Sequence, residues 1–104
     1  MNENVFLWLL KWYYDHCNGD WEHGQGIHVD SMDNPGWSIS INLEDTELQD
    51  LNFQKIEKEC SDHNWLICFI ENNKFEGRCG PINLPEVLQI FRDWAESCQQ
   101  ERLL

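Results

Sequence analysis

The sixteen residues NLPEVLQIFRDWAESC, 83 to 98, constrain the fold more than any other segment. Leu84, Val87, Leu88, Phe91, Trp94, Ala95 and Cys98 recur at the three- and four-residue spacing of a helix with one apolar face. Asn83 stands at the N-cap position, Glu86 follows three residues later as in a capping box, and Pro85 falls in the first turn, where its missing N–H costs nothing. A face with Phe and Trp at its centre must be covered, so the rest of the chain has to supply an apolar layer.

That layer reads as antiparallel strands. Ile27 and Val29 alternate with His28 and Asp30, NPGW places Pro35 and Gly36 to suit a type II turn, and Trp37, Ile39, Ile41 and Leu43 alternate with Ser38, Ser40 and Asn42. This predicts a hairpin with one buried face. WLICFI, 65 to 70, is apolar at every position and reads as a central strand, followed by a turn at Asn72-Asn73 and a short strand. Residues 46 to 60 are ambiguous: TELQ suits a helix start and Phe53, Ile56 and Cys60 have near-helical spacing, but the run is short and polar, and a strand is preferred. At the other end, Val5, Trp8, Leu9, Trp12, Tyr13 and His16 predict an amphipathic helix over 5 to 17, with Asn18-Gly19 as a left-handed stop. The expected architecture is α+β: an N-terminal helix, an antiparallel sheet of four to five strands, and a C-terminal helix packed on the sheet.

At 104 residues the chain fits one domain, 1–104, which at this size buries roughly 65% of its unfolded surface in one core. The N-terminal MNENVFLWLLKWYYDH has an acid before its short apolar run and no cleavage-site pattern, and no stretch nears the roughly 20 apolar residues of a membrane span. A soluble cytoplasmic protein is expected. Cys17, Cys60, Cys68, Cys79 and Cys98 are odd in number and irregularly spaced, which predicts reduced thiols, with Cys68 buried.

The net charge is -12, and it is unevenly placed. Between Trp12 and Gln54 there are nine acids (Asp15, Asp20, Glu22, Asp30, Asp33, Glu44, Asp45, Glu47 and Asp50) and no Lys or Arg. Such a field repels nucleic acid and anionic membrane and steers a basic protein toward the chain. Solubility alone is the plainer explanation of the acidity.

Catalytic and metal chemistry find little support. His16, Cys17, His23, His28, Cys60, His63, Cys68 and Cys79 show no pair at the close spacing of structural zinc motifs. Asp20, Glu22 and His23 have acid–base chemistry, but no nucleophile elbow, Gly-rich phosphate loop or HExxH accompanies them. Trp21, between Asp20 and Glu22, is either a core plug behind the Gly19 turn or an exposed anchor for a partner. In MDNPGW the turn accounts for Asn34, Pro35 and Gly36, and least for Asp33. The candidate partner-binding residues are therefore Asp20, Trp21, Glu22, Asp30, Asp33, Glu44 and Asp45.

CNGDWEHGQGIHVDSMDNPGWSISINLEDTEL and NWLICFIENNKFEGRCGPINLPEVLQIFRDWAE together resemble the immunity protein 53 family of bacterial polymorphic toxin systems. The likeness runs from about Leu7 to Glu96, carried by GDWEH, DNPGW, the Trp opening the WLICFI strand, F-x-G, and N-L leading to F-x-x-W. Gln25, where an aromatic residue is expected, and Cys79, in place of a small residue, depart from the pattern. The resemblance implies a non-enzymatic antidote without metal or cofactor that binds the toxic domain of a cognate toxin inside the producing cell. Many such toxins are nucleases with basic grooves, which an acidic protein can occupy. A metal-dependent hydrolase using the Asp/Glu/His cluster, or a general interaction adaptor, is the rival expectation.

Because no ligand motif links the cysteines and histidines, protein purified without chelator is expected to hold no stoichiometric zinc and to titrate five thiols once denatured. Elemental analysis finding one zinc per chain sinks this reading.

Overall fold

A computed structural model describes residues 4–24 and 26–103, with the side chains of the last helix described as far as residue 98. Gln25 lies outside the described residues. The order of elements is α1 (Val5–His16), β1 (Ile27–Met32), β2 (Gly36–Asn42), β3 (Ile56–Ser61), β4 (Asn64–Glu71), β5 (Lys74–Cys79) and α2 (Leu84–Leu103). The five strands form one antiparallel sheet in the order β1-β2-β5-β4-β3, so the α+β architecture holds with five strands.

Local chemistry sets the connections. Asn72 and Asn73 both take positive φ, 53° and 60°, in the two-residue turn joining β4 to β5, a conformation Asn tolerates and a tight hairpin requires. The β1–β2 turn is not the expected type II. Gly36 is paired with Met32 in the sheet and its φ is not positive. It is glycine because a Cβ there would collide with the backbone carbonyl of Cys79 on β5.

Alternation sends Ile39 and Ile41 of β2, Phe75 and Cys79 of β5, and Leu66 and Cys68 of β4 to one face of the sheet, where all are buried. Val87, Leu88, Phe91 and Ala95 of α2 cover them, as the helical periodicity predicts. Phe91 is fully buried and meets Phe75, Trp12 and Trp8 at ring-centre distances of 5.0, 5.2 and 6.0 Å. Through these contacts α1 packs on α2, placing both helices on the same side of the sheet. Asn83, only 2% exposed, ties helix to sheet: its Oδ1 accepts from Trp65 N–H, and its Nδ2 donates to Asn64 Oδ1 and Glu86 Oε1. The Asn83–Glu86 pair thus meets side chain to side chain.

Four expectations need correction. Helix α1 ends at His16 with Cys17 already extended, one residue short of the expected 17, and of the Asn18-Gly19 pair it is Gly19 that takes positive φ (95°), outside the cap itself. Residues 46–55 form no strand: Asp45 and Asp50 sit at positive φ, and the segment runs as turns and a strap that inserts fully buried Leu48 and packs Phe53 on Phe75 and Trp94. Only from Ile56 does it become β3. The WLICFI segment is interior but not central, since β5 holds the middle of the sheet. Val29 is 46% exposed, because β1 is an edge strand beyond the reach of the helices. Among the described residues no helix is long and apolar enough to cross a membrane.

Trp94 joins three parts of this core. Its ring lies against Phe53, Phe75 and Phe91, and its Nε1–H donates to Asn52 O at 2.9 Å. Trp94→Ala is expected to cost about 3 to 5 kcal/mol, and Trp94→Phe, which keeps a ring but loses the hydrogen bond, about 1 to 2 kcal/mol. Denaturant midpoints of the two variants check this ordering: equal losses would mean that the ring packing adds nothing beyond the bond to Asn52, and an unchanged Trp94→Phe would mean that the bond to the strap contributes nothing.

Candidate functional site

The GDWEH loop is built from within. Asn18 Oδ1 accepts from the N–H groups of Asp20 and Trp21, while the Glu22 carboxylate accepts from those of Asn18 and Gly19 at 2.9 and 2.8 Å. These bonds hold the Glu22 pKa below the usual carboxylate range, its own backbone N–H contributing most and those of Asn18 and Gly19 adding to it. Trp21 is 4% exposed, packs against Trp12, Tyr13 and His16, and donates its indole N–H to Asn42 O. The plug reading of Trp21 is therefore the one realised. As an exposed anchor it is corrected, because a buried and hydrogen-bonded indole has no free face to offer.

The Trp21–Asn42 bond, and the 2.7 Å contact of His16 Nε2 with Glu47, bring the GDWEH loop beside the turn that holds Glu44 and Asp45. Asp20, Glu44 and Asp45 are exposed there, at one end of the sheet. Asp33 sits in the β1–β2 turn at the opposite end, the length of seven-residue β2 away, about 20 Å at the usual rise per residue. Asp30 points from β1 to the face that the helices do not cover, since its neighbours Ile27 and Val29 share the covered face. The seven candidates thus do not converge on one patch.

That uncovered face is what the sequence reading missed. Trp65, Ile67 and Phe69 of β4 form a half-buried apolar ridge on it, and β3 sets Glu59 opposite Trp65 and Glu57 opposite Ile67. A shallow depression of about 310 Å³ opens beside the ridge, with Glu57, Glu59, Asp62, Trp65 and Ile67 in its lining. On the neighbouring strand the Arg78 guanidinium lies 5.4 Å over the Phe69 ring and 3.7 Å from Glu76, whose other carboxylate oxygen accepts from Ser40 Oγ. Arg78 Nη1 is buried without a hydrogen-bond partner among the described residues. The signal was present in WLICFI, apolar on both faces where the chain has helices enough to cover one.

Among the described residues no three His, Cys, Asp or Glu side chains are grouped to hold a metal ion. Burial pushes the Cys68 thiol up to about 12, and also raises Cys79, so neither buried sulfur is an activated nucleophile at neutral pH. Cys68 is fully buried, as its strand position predicts.

A family model described as immunity protein 53 matches residues 6–96. No curated protein and no solved structure matches the chain.

The Glu22 bonds carry a pH signature. A carboxylate whose folded pKa is lowered contributes stability above its unfolded pKa, and that contribution is lost as pH falls through the folded value. Glu22→Gln is expected to lower the denaturant midpoint at pH 7 and to converge on the parent protein only as pH falls through the lowered folded pKa of Glu22. A gap that stays constant from pH 7 to pH 3 contradicts the role given to the charge.

Proposed function

We propose that the chain, which belongs to the immunity protein 53 family, neutralises a cognate toxin domain by laying the acidic open face of its sheet across a basic surface of that toxin. The observation that carries this reading is the depression beside Trp65. A wall of aromatic and aliphatic side chains with Glu57, Glu59 and Asp62 around it suits a partner's Arg or Lys, whose cation gains from the indole face and from charge-assisted hydrogen bonds. An apolar centre within a charged rim is also how protein interfaces divide, with aromatic residues taking most of the binding energy.

The remaining acids have a different part. Asp20, Asp30, Asp33, Glu44 and Asp45 are exposed and dispersed, so as rim charges they steer the encounter and add little to the lifetime of the complex. Glu22 serves the loop. A nuclease is the toxin this pattern fits best, since a groove that binds phosphates must be basic and an acidic protein fills it with fixed carboxylates. The role is binding in the cytoplasm of the producing cell, with no metal, cofactor or catalytic residue, and no nucleic acid or membrane as partner.

Co-expression with the toxin domain encoded beside it, scored by survival and co-purification, tests the antidote role. Binding kinetics test the surface. Association is expected to slow as salt shortens the Debye length from about 30 Å at 0.01 M to about 8 Å at 0.15 M. Glu57→Gln with Glu59→Gln is expected to speed dissociation and weaken affinity about 30-fold or more, the equivalent of about 2 kcal/mol. The charge-matched pair Asp93→Asn with Glu96→Gln on α2 is expected to change association only. Equal losses in both pairs reduce the effect to net charge, and an unaffected first pair places the toxin elsewhere.

A further inference from the structure

Helix α1 has a second apolar face that the fold leaves largely exposed. Phe6, Leu7, Leu10, Tyr13 and Tyr14 are 55%, 58%, 48%, 36% and 76% exposed, while Leu9 and Trp12 on the opposite side are buried. Among the described residues the other large exposed hydrophobics are scattered: Val29 on β1, Ile56 on β3 and Ile82 in the loop before α2. Leu7, Leu10 and Tyr14 follow the three–four spacing of a coiled-coil seam, flanked by Phe6 and Tyr13. Together the five expose about 500 Å², near the upper range of patches that monomers tolerate.

We propose that this stripe is the contact between two copies of the chain. An isologous pairing needs a self-complementary surface, and an antiparallel α1–α1 crossing with Leu10 at the two-fold axis sets Phe6 and Leu7 of one copy against Tyr14 and Tyr13 of the other. Two such patches bury about 1,000 Å², the threshold for a specific interface. Charge selects the occupant. From Val5 to Tyr14 the helix holds one charged residue, Lys11, and no carboxylate, in a chain of net charge -12. Two copies thus meet where their mutual repulsion is least, while a basic partner is drawn to the carboxylates elsewhere. A lipid surface is the poorest fit, since an interfacial helix needs a polybasic face and anionic headgroups repel this chain. Because α1 lies on the helical side, the pairing leaves both open sheet faces clear.

The full chain, without toxin, is to be measured by sedimentation equilibrium from about 1 to 100 μM, the range in which an interface of this size is expected to assemble. The expected mass is twice 12.4 kDa. Leu10→Glu, at an exposed position, is expected to keep the circular dichroism of the parent and to sediment as a monomer, because it sets two carboxylates against each other at the axis. Mixing Leu10→Glu with Leu10→Lys chains is expected to restore the dimer. A parent protein that stays at 12.4 kDa throughout overturns the proposal, as does a dimer that survives Leu10→Glu. A monomeric parent whose toxin binding is lost in Leu10→Glu also overturns it, and assigns the stripe to the toxin.

Discussion

The closeness of α2 to the middle of the sheet governs the rest of the structure. At Gly77, on the central strand, an added Cβ would stand 2.5 Å from Val87 Cγ1 and 3.0 Å from Ile39 Cγ2. The absence of a side chain lets the helix backbone descend onto β5, with Phe75 and Cys79 rising on either side of the contact. Phe91, one helical turn beyond Val87, then falls against Phe75, and it is on Phe91 that Trp8 and Trp12 of α1 rest. Trp94 completes the layer by holding Asn52 and Phe53 of the strap. One contact point thus gathers both helices and the irregular segment on a single face.

This geometry explains what could be read from the sequence. Regular elements were legible where period and punctuation agree, as in α2, in the Trp37–Leu43 alternation, and in Asn72-Asn73. The strap was not. Its buried Leu48 and half-buried Leu51 and Phe53 follow neither the helical nor the strand period, and its shape depends on left-handed Asp45 and Asp50, which Asp permits without announcing. Gly36 misled for a related reason: a glycine after proline suggests positive φ, whereas here it clears a neighbouring backbone. Helix α1 was read for one apolar face and has two, because Phe6, Leu7, Leu10 and Tyr14 fill positions that a simple amphipathic helix gives to charge.

The candidate site was legible only in its chemistry. Acids close together along the chain suggest one surface, but a strand carries its ends about 20 Å apart, and the loop acids either brace the GDWEH turn or stand at separate corners. Glu57 and Glu59 were overlooked because they lie beyond the lysine-free segment and alternate with Lys58, which lowers the local charge of the sequence. Folding separates what the sequence mixes. Strand alternation sends Lys58 to the helical side, where it pairs with Glu86 at 2.7 Å, and leaves both glutamates on the open face.

The same alternation divides the surface by the kind of contact each part can sustain. The helical side holds the ion pairs Lys58–Glu86 and Arg92–Glu96, and exposes on α1 an uncharged stripe whose burial is insensitive to salt. The open sheet face couples an apolar ridge to carboxylates, so in the toxin contact proposed above attraction would act over a Debye length and then give way to short-range packing around Trp65. Arg78 fits this division. Fixed over Phe69 and beside Glu76, it keeps a cation in the middle of an acidic surface, with Nη1 unpaired among the described residues. In the interface proposed above, a basic surface approaching by charge alone would be repelled at that point, whereas a partner presenting a carbonyl or carboxylate would pair with the exposed part of the Arg78 side chain. In that proposed interface the glutamates would favour any basic protein, and Arg78 would favour the one whose surface includes a matching acceptor.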